Sequence, residues 1–547
     1  NENKEIGIFR KECHMSEQVN RANEVQPSAK PQLFVKSLTF NDGTSLNLTP
    51  NSIVVFTGAN NSGKSQVLKD LERFPDEDLR SGTIVVKDCE YDYRGDIDEK
   101  VFFDRHFKIT DDGYYYCDEA NGGFSRSTLT NFWERKCLTS GLRFLFVKRL
   151  STEFRLTAAN ALNRNDNPER HPIYKLNKSE ALAQRVSDYF RQAFGTDLVV
   201  NRREMRTIPL HVGQAPDKTA YTIKNEDEYY EKVSALPRLD DQGDGMRSFA
   251  SILLDTFTTE HSITLIDEPE AFLHPPQARL LGKMLAKSTA GERQLFISTH
   301  SEDFLQGIID AENKDVTIIR IDRKGSINEM SILNSAGIKE FWENPLLRYS
   351  DILSGLFHEK VVVCESDYDC LFYHAVLDAM CESEDEIAPD ILFTHCGGKT
   401  RIKDVVKALK AINVPVVAIS DFDLINHKQN FKGVTDALRI DWDMALNADM
   451  KTIYDDMNSK VGAWESIKET GRAGFRGETF VAYSRVESVC KSAGLFVVPV
   501  GEMECFDKMV TKTKKEWVYE VIEKCDLVNS PDLQEARKFV KEIAEFR

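Results

Sequence analysis

The sequence has no run of eighteen apolar residues, no C-x-x-C spacing and no internal repeat. The first absence predicts that no helix crosses a bilayer, so we expect no membrane contact. The second argues against a zinc ribbon, and the odd number of cysteines, 11, argues against a disulfide framework and for a reducing compartment. The chain starts at Asn1 without a basic-then-apolar leader, so we expect an untargeted, cytoplasmic protein.

An excess of basic residues is also missing. The chain has 71 Lys and Arg against 88 Asp and Glu, a net charge of −17. Such a chain does not coat nucleic acid through bulk electrostatics, so any contact with DNA requires local basic patches or cations held by carboxylates. With 547 residues, of which 41% are hydrophobic, it is globular and too long for one compact core.

The order of strand-like and helix-like segments predicts two α/β domains. Residues 1–30 are polar and aperiodic, which is typical of a flexible tail. Strand and helix patterns then alternate over 31–345, with a short helical insert near 175–195. A linker over 346–358 leads to a second alternation over 359–547. We therefore expect an α/β fold with two parallel sheets.

The stretch "GANNSGKS" follows the apolar strand "SIVVF" and precedes a helix, which is the context of a P-loop. Its glycines allow backbone N–H groups to surround phosphate oxygens. Lys64 would contact the β and γ phosphates of ATP, and Ser65 would bind Mg²⁺. A glycine turn with a surface lysine is the alternative. The predicted nucleotide-binding residues here are Gly58, Asn60, Asn61, Ser62, Gly63, Lys64, Ser65 and Gln66.

Two further motifs support nucleotide binding. In "TLIDEPEAFLH" an apolar strand ends at Asp267, which would hold Mg²⁺ with ATP, and Glu268, which would orient or deprotonate the attacking water. In "LFISTHS" the next strand ends near His300, whose imidazole would sense the γ phosphate. Taken alone, His300 is equally well explained as a structural loop histidine.

A P-loop, an "IDEPE…LHP" segment and an "STHS" segment in this order resemble the ABC-type ATPases of the SMC and OLD (overcoming lysogenization defect) kinds. In that class two heads sandwich ATP, and a signature loop of one head completes the site of the other. The resemblance implies a homo-oligomer, dimer or tetramer, formed through the ATPase heads. The best match to the signature loop is "DQGDGMRSFASIL", with Gly243 and Ser248 as nucleotide contacts, although a plain helix-initiating turn explains it as well.

Three apolar strands of the second domain are each followed by a pair of acidic residues. These segments are "KVVVCESDYD", "VVAISDFD" and "FVVPVGEME". In the last two the acids are two apart, so strand periodicity predicts that both members of a pair point the same way. The candidate metal ligands and catalytic acids are Glu365, Asp369, Asp421, Asp423, Glu502 and Glu504.

The carboxyl ends of parallel strands share one edge of a sheet, so these acids are expected to meet there. Their mutual repulsion would be removed by hard divalent cations such as Mg²⁺, Mn²⁺ or Ca²⁺. Two such ions would stabilise the attacking and leaving oxygens of a phosphodiester, and would let an acidic protein approach DNA. Each pair taken alone is also explained as turn residues or a solvated loop.

The order Glu…Gly…Asp-x-Asp resembles the Toprim fold, and with an ATPase before it the chain is similar to OLD-family nucleases, including those of Gabija and retron-associated systems. The resemblance implies a metal-dependent DNA endonuclease of anti-phage defence, with Glu365 also acting as general base. It allows a defence-system partner protein, or a retron reverse transcriptase with its RNA–DNA hybrid. This chain departs from the family at Ser366, where glycine is common.

Family members also use a C-terminal lysine near the scissile phosphate. The segment "KMVTKTKKEW" offers Lys508, Lys512, Lys514 and Lys515, and their spacing does not choose among them.

Two other functions compete with an ATP-gated nuclease. One is a regulatory ATPase scaffold whose Toprim domain binds nucleic acid or a toxin without cutting. The other is a Toprim primase or topoisomerase, which the missing zinc-ribbon cysteines and the lack of a nucleophilic tyrosine in a helix–turn–helix setting disfavour.

Overall fold

The structure is a computed structural model that describes most of the chain. The tail expected over 1–30 and the first part of the linker expected over 346–358 lie outside the described residues. The described residues are 31–95, 106–117, 122–139, 142–164, 171–217, 226–258, 260–287, 292–333, 353–459, 463–512 and 514–546.

The N-terminal half mixes strands and helices, as expected for an α/β domain. Its strands are β1 Gln32–Phe40, β2 Ser45–Asn47, β3 Ile53–Thr57, β4 Val86–Arg94, β5 Lys108–Ile109, β6 Tyr115–Cys117, β7 Gly122–Phe124, β8 Val147–Leu150, β9 Leu162–Asn163, β10 Asp197–Val200, β11 Thr207–Ile208, β12 Leu210–Gly213, β13 Ile263–Asp267, β14 Gln294–Ser298, β15 Val316–Lys324 and β16 Ile327–Leu333. Its helices are α1 Lys64–Arg73, α2 Arg126–Glu134, α3 Thr152–Thr157, α4 Pro172–Lys178, α5 Glu180–Phe194, α6 Glu226–Ser234, α7 Asp244–Thr258, α8 Pro275–Lys287 and α9 Glu302–Ile309.

The central sheet of this half has the strand order β16-β15-β3-β14-β13-β8. All neighbours are parallel except β15 and β16, which form an antiparallel hairpin. All five residues of β3 are buried, as expected for a parallel strand covered on both faces. Since β3, β14 and β13 are adjacent, the segments that follow them lie at one edge, where the nucleotide motifs meet.

The helical insert expected near 175–195 is present as α4 and α5. α5 begins at Ser179, whose side chain accepts a hydrogen bond from the Leu182 N–H, and ends at Gly195 with φ 70°. Its buried face includes Val186 and Phe190, which pack into the main core. Within the described residues, no helix has the length and apolarity required to cross a membrane.

The C-terminal half is a second α/β unit. Its strands are β17 Lys360–Cys364, β18 Ile391–His395, β19 Val416–Ser420 and β20 Leu495–Val497. Its helices are α10 Asp367–Glu384, α11 Ile402–Ala411, α12 Lys428–Ala437, α13 Met444–Met457, α14 Ala463–Thr470, α15 Gly477–Ser492, α16 Lys514–Lys524 and α17 Gln534–Glu545.

The four strands of this half form a parallel sheet in the order β18-β17-β19-β20. The buried strand β17 supplies side chains to both faces: Val361 and Val363 belong to one core, and Val362 belongs to the other. α11 and α12 pack on the first face, whereas α10, α16 and α17 pack on the second. The predicted second parallel sheet is therefore confirmed.

A buried arginine joins the two halves. Arg320 lies on β15 opposite Thr57, the last residue of β3 before the P-loop. Its guanidinium pairs with Asp322 and donates to the His358 carbonyl at 2.8 Å, just before β17. His358 Nδ1 in turn lies 2.6 Å from Asp390 Oδ1, just before β18. The nucleotide edge of one sheet is thus connected to the first strands of the other.

Candidate nucleotide and carboxylate sites

The P-loop wraps around its own lysine. Gly58 and Gly63 have φ of 135° and 109°, and a Cβ at Gly58 would lie 2.3 Å from the Ile321 carbonyl oxygen. Only glycine tolerates this conformation and contact. The Lys64 ammonium donates to the carbonyls of Gly58 and Ala59, both at 2.7 Å. Burial lowers the pKa of Lys64 to about 8, although acidic residues led by Glu268 oppose the shift.

The other residues predicted for this loop lie around it. Asn60 and Asn61 are exposed, and Asn61 has φ 60°. Ser62 is buried, whereas the Gln66 amide donates at 2.8 Å to the buried Asp70, one turn further along α1. The first two are therefore open to a ligand, and Gln66 is engaged by its own helix.

The predicted Mg²⁺ residues meet beside Lys64. The Ser65 hydroxyl donates to Asp267 Oδ1 at 2.8 Å, and the Ser298 hydroxyl donates to the same oxygen. Hydroxyl and carboxylate oxygens suit Mg²⁺. Ser65 follows β3 and Asp267 ends β13, the strands on either side of β14. Ser298, at the end of β14, is a contact that the motif search did not find.

Glu268 and His300 form a pair at the same edge. His300 Nε2 lies 3.0 Å from Glu268 Oε1, and Glu268 adopts φ 47°. Burial and the charge of Lys64 lower the pKa of His300, whereas Glu268 opposes that shift. The two residues assigned to water activation and γ-phosphate sensing are therefore in direct contact.

Arg155, the buried residue of α3, positions the segment that carries Asp267 and Glu268. Sequence reasoning missed it. It is fully buried, and its guanidinium donates to the carbonyls of Leu150 at 3.0 Å and Glu268 at 2.7 Å, and to that of Asp267. Burial lowers its pKa to about 10, with the nearby acids opposing. An arginine in "TEFRL" carries no motif, so only the contacts reveal it.

The two ends of the expected signature loop differ in exposure to solvent. Gly243 is exposed just before α7, open to a second molecule. The Ser248 hydroxyl is fully buried and accepts a hydrogen bond from Arg155 Nε at 2.9 Å. The expectation that Ser248 contacts nucleotide on a second head does not fit this placement, because its side chain faces its own core.

In the second half, Glu365 connects the ends of two neighbouring strands. It follows β17, and its Oε1 accepts hydrogen bonds from the Ser420 hydroxyl and, at 3.1 Å, from the Asp421 N–H, at the end of β19. Burial raises the pKa of Glu365 despite these bonds, and the charges of Asp423 and Asp369 add to the shift.

Asp369 lies in the first turn of α10, one helical turn beyond Glu365 as expected. Its Oδ2 accepts from the Ser366 N–H at 2.9 Å and from the Ser366 hydroxyl at 3.0 Å, while Ser366 caps the helix in return. The serine that departs from the family pattern therefore begins α10 and orients Asp369.

Lys514, the first residue of α16, lies among these carboxylates. Its Nζ is 2.7 Å from Asp369 Oδ1 and 3.8 Å from Asp421 Oδ2. Burial raises the pKa of Asp421 well above its usual range, and Lys514 opposes that shift. Burial lowers the pKa of Lys514, but the charges of Asp421, Asp369 and Glu504 outweigh burial, so that its pKa is raised.

Of the four C-terminal lysines left open by the spacing, Lys514 is the one that reaches these acids. Lys508 donates to the Glu469 carbonyl at 3.1 Å, and Lys512 pairs with Glu520. Lys515 is exposed on the next position of α16.

The expectation that paired acids point the same way is wrong for Asp421 and Asp423. β19 ends at Ser420, and a short 3₁₀ turn, Phe422–Leu424, follows. Asp421 therefore faces Lys514, whereas Asp423 pairs with Lys399 of the glycine loop. The strand rule fails because the strand ends before the pair begins.

Glu502 and Glu504 also follow their strand rather than belonging to it, since β20 ends at Val497. Glu502 pairs with Lys468 at 2.6 Å, at the start of another 3₁₀ turn. Burial raises the pKa of Glu504; Lys514 opposes the shift and Glu502 reinforces it.

All six predicted acids thus line one rim of the sheet, balanced by lysines. Within the part of the chain that the structure describes, no three Asp, Glu, His or Cys side chains are arranged to hold one ion. The donor set nevertheless suits Mg²⁺ or Mn²⁺, because all its atoms are carboxylate oxygens and Asp423 Oδ1 is buried without a hydrogen-bond partner in the described structure. Ion binding at this rim would require the lysine contacts to rearrange.

Family models match both halves of the chain. Residues 159–305 match an AAA domain family whose description also names the AbiEii toxin of a type IV TA system. Residues 356–423 match the Toprim domain of the overcoming lysogenization defect protein-like family. The chain therefore combines an AAA-type ATPase domain with an OLD-like Toprim domain. Its N-terminal half has the ABC-type ATPase fold, and its C-terminal half has the parallel Toprim sheet, as the sequence predicts.

A curated relative of this chain is the Old nuclease of Escherichia phage P2, 24% identical over 307 residues. The match spans 52% of this chain and about half, 50%, of the phage protein. Solved structures with partial similarity include the SmcHead bound to the C-winged helix domain of ScpA, at 13% identity, covering 55% of this chain and 98% of that one with a TM-score of 0.35. A Pyrococcus furiosus Smc head covers 57% and 99% at 10% identity, with a TM-score of 0.33.

Proposed function

We propose that this chain is an ATP-regulated, divalent-metal-dependent DNA endonuclease of the OLD family. The observation that carries the proposal is the meeting of Glu365, Asp369 and Asp421 around Lys514 at the carboxyl edge of the Toprim sheet. Carboxylates at such distances repel one another unless cations lie between them, as Lys514 does here, so a cluster of this kind is expected to bind cations. The anti-phage role belongs to the same proposal and has the family resemblance as its support.

Each group has a distinct role in the proposed reaction. The proposed ligands are the six rim carboxylates, and bound Mg²⁺ or Mn²⁺ would polarise the scissile phosphate and lower the pKa of the attacking water. Glu365, one of these ligands, is also proposed as the general base, because burial raises its pKa and makes its carboxylate a stronger proton acceptor. Lys514 is proposed to neutralise charge on the phosphate once cations replace it between Asp369 and Asp421.

The ATPase is proposed to gate cutting rather than to perform it. Nucleotide at the P-loop would change the pairing of two heads through the exposed surface at Gly243. The Arg320 bridge between β15 and the residues before β17 supports transmission to the Toprim sheet, because it connects the strand beside Thr57 with the His358 carbonyl.

Metal removal tests the proposal. Purified protein is expected to nick and then linearise supercoiled plasmid in Mg²⁺ or Mn²⁺, with different rates under ATP, ADP and no nucleotide. EDTA should abolish cleavage, and added Mn²⁺ should restore it. Cleavage that persists in EDTA would contradict the proposed metal site.

A non-cutting Toprim domain is the second candidate, and the neutralisation of the rim by Lys399, Lys468 and Lys514 favours it. It predicts ATP turnover without metal-dependent cleavage under any nucleotide condition. The same plasmid assay therefore separates the two functions.

Substituting Lys514 tests its assigned role. Lys514→Gln is expected to lower the cleavage rate roughly 100- to 1,000-fold, the usual effect of removing one preorganised charge partner from a transition state. Plasmid cleavage at saturating Mg²⁺ gives the rate, and ATP hydrolysis should not change. Lys512→Gln is the matched control, since Lys512 pairs with Glu520 away from the rim. If Lys514→Gln cleaves at the wild-type rate, Lys514 has no role in the reaction and serves only to neutralise the neighbouring acids.

A further inference from the structure

One face of the Toprim domain is basic although the chain is acidic. Between residues 399 and 439 the sequence has eight Lys and Arg against four Asp and Glu, in a chain whose net charge is −17. Six of the eight basic residues lie on the glycine loop, on α11 and beyond the end of α12, and form a surface that we call the basic seam. These are Lys399, Arg401, Lys403, Lys407, Lys410 and Arg439.

The seam follows from helical spacing. Lys403, Lys407 and Lys410 are four and three residues apart on α11, so their side chains form one stripe. A Cβ at Gly433 of α12 would lie 2.9 Å from Lys403 Cδ, so the lysine stem packs where α12 has no side chain. Burial lowers the pKa of Lys410, and the charge of Arg439, which lies near that end of the stripe, lowers it further.

The seam begins at the carboxylate rim. Lys399 pairs with Asp423, and the Gly398 N–H donates to the Glu365 carbonyl at 2.9 Å, which holds the glycine loop beside the rim. Arg401 folds back so that its guanidinium lies 3.7 Å from the Cβ position of Gly397. Basic groups therefore extend from the acidic edge along α11, with Asp404 as the one acidic residue between Lys399 and Lys410.

Apart from Lys399, which pairs with Asp423, the cations of the seam are not neutralised within the described residues. In the described residues, Arg401, Lys403, Lys407, Lys410 and Arg439 form no ion pair with a carboxylate within 4.0 Å. Like charges at this helical spacing destabilise a helix by about 0.2–0.5 kcal/mol per pair. A stripe of unpaired, like charges that costs stability is expected where a polyanion supplies the counter-charge.

We propose that the basic seam binds the phosphate backbone of duplex DNA and leads it to the carboxylate rim. The α11 stripe from Lys403 to Lys410 is about 10 Å long at 1.5 Å per residue, which matches roughly three phosphates of one strand at 3.4 Å each. The inference rests on the proposed nuclease function, because it assigns the path of that function's substrate. It also answers how a protein of charge −17 approaches DNA.

Salt dependence of binding tests the seam. Removing one protein–phosphate interaction reduces the slope of log K against log salt by about 0.9. Lys407→Gln/Lys410→Gln is therefore expected to lower the slope by roughly two and to weaken binding of a 30-base-pair duplex at 50 mM salt at least tenfold. Fluorescence anisotropy with Mg²⁺, in an Asp421→Asn/Asp423→Asn background that prevents cutting, measures both quantities.

The matched control is Lys538→Gln/Lys541→Gln on α17, which removes two exposed lysines from the opposite face of the same sheet. Its slope should equal that of the background protein. Equal slopes for the background and the seam variant, or equal losses for both double variants, would overturn the proposal.

Plasmid cleavage by the wild-type protein distinguishes failure of the seam proposal from failure of the nuclease proposal. If it cuts plasmid with Mg²⁺ while the seam variant keeps the full slope, the seam is wrong and the nuclease stands. If the seam variant loses slope but wild-type protein never cuts, the seam stands and the nuclease is wrong.

Discussion

Asp421→Asn/Asp423→Asn is expected to reduce metal-dependent plasmid cleavage by roughly 1,000-fold or more, equivalent to about 4 kcal/mol of lost transition-state stabilisation. Asparagine preserves the size of each side chain but removes the negative charge that would hold divalent ions at the rim. Burial already favours the protonated form of Asp421, so neutralising it should not unfold the domain. Gel analysis of supercoiled plasmid over time measures the loss.

The control for this pair is Asp455→Asn/Asp532→Asn, two exposed aspartates of α13 and of the segment before α17. It changes the net charge by the same amount and should cleave at the wild-type rate. ATP hydrolysis should be retained in both variants, because the P-loop lies in the other half. Undiminished cleavage by Asp421→Asn/Asp423→Asn would remove the rim from the reaction and leave the P-loop as the chemical site.

Arg155→Leu is expected to destabilise the ATPase half by about 3–5 kcal/mol and to abolish ATP hydrolysis. The guanidinium is fully buried and bonds the carbonyls of Asp267 and Glu268, so its loss leaves those groups unsatisfied and the Mg²⁺ and water-activating residues unsupported. Urea unfolding monitored by circular dichroism gives the free energy, and phosphate release gives the ATPase rate.

Two substitutions sharpen that test. Arg279→Leu removes a half-exposed arginine that pairs with Asp310, and should cost no more than about 1 kcal/mol. Arg155→Lys keeps a charge but can reach fewer acceptors, so it should fold better than Arg155→Leu and still hydrolyse ATP slowly. An Arg155→Leu protein with wild-type stability and ATPase rate would show that the Asp267–Glu268 segment does not depend on this arginine.

Local patterns predicted the parts of both sites that lie next to regular elements. "SIVVF" before "GANNSGKS" is buried strand and phosphate loop, and "TLIDE" ends where the strand ends. The second parallel sheet also followed from its apolar runs, and so did the meeting of acids at one edge. Such predictions succeed because they depend on side-chain burial and backbone conformation within a few residues.

Partners from distant parts of the chain could not be predicted this way. Arg155 contacts Ser248 and Glu268, about a hundred residues away, and Lys514 contacts Asp369 across a similar distance in sequence. The orientation of Asp423 was mispredicted for a local reason, since β19 ends at Ser420, before the acidic pair begins. Element boundaries are where periodicity carries least information.

By itself, the sequence determined that this chain has a nucleotide loop and acid-tipped strands, because glycine freedom and apolar runs act locally. Only the tertiary structure decided which cation faces which acid: Lys514 for Asp421, Lys399 for Asp423 and Lys468 for Glu502. Charge pairing falls off within a few ångströms once water screens it, so it depends on how helices and turns bring remote residues together.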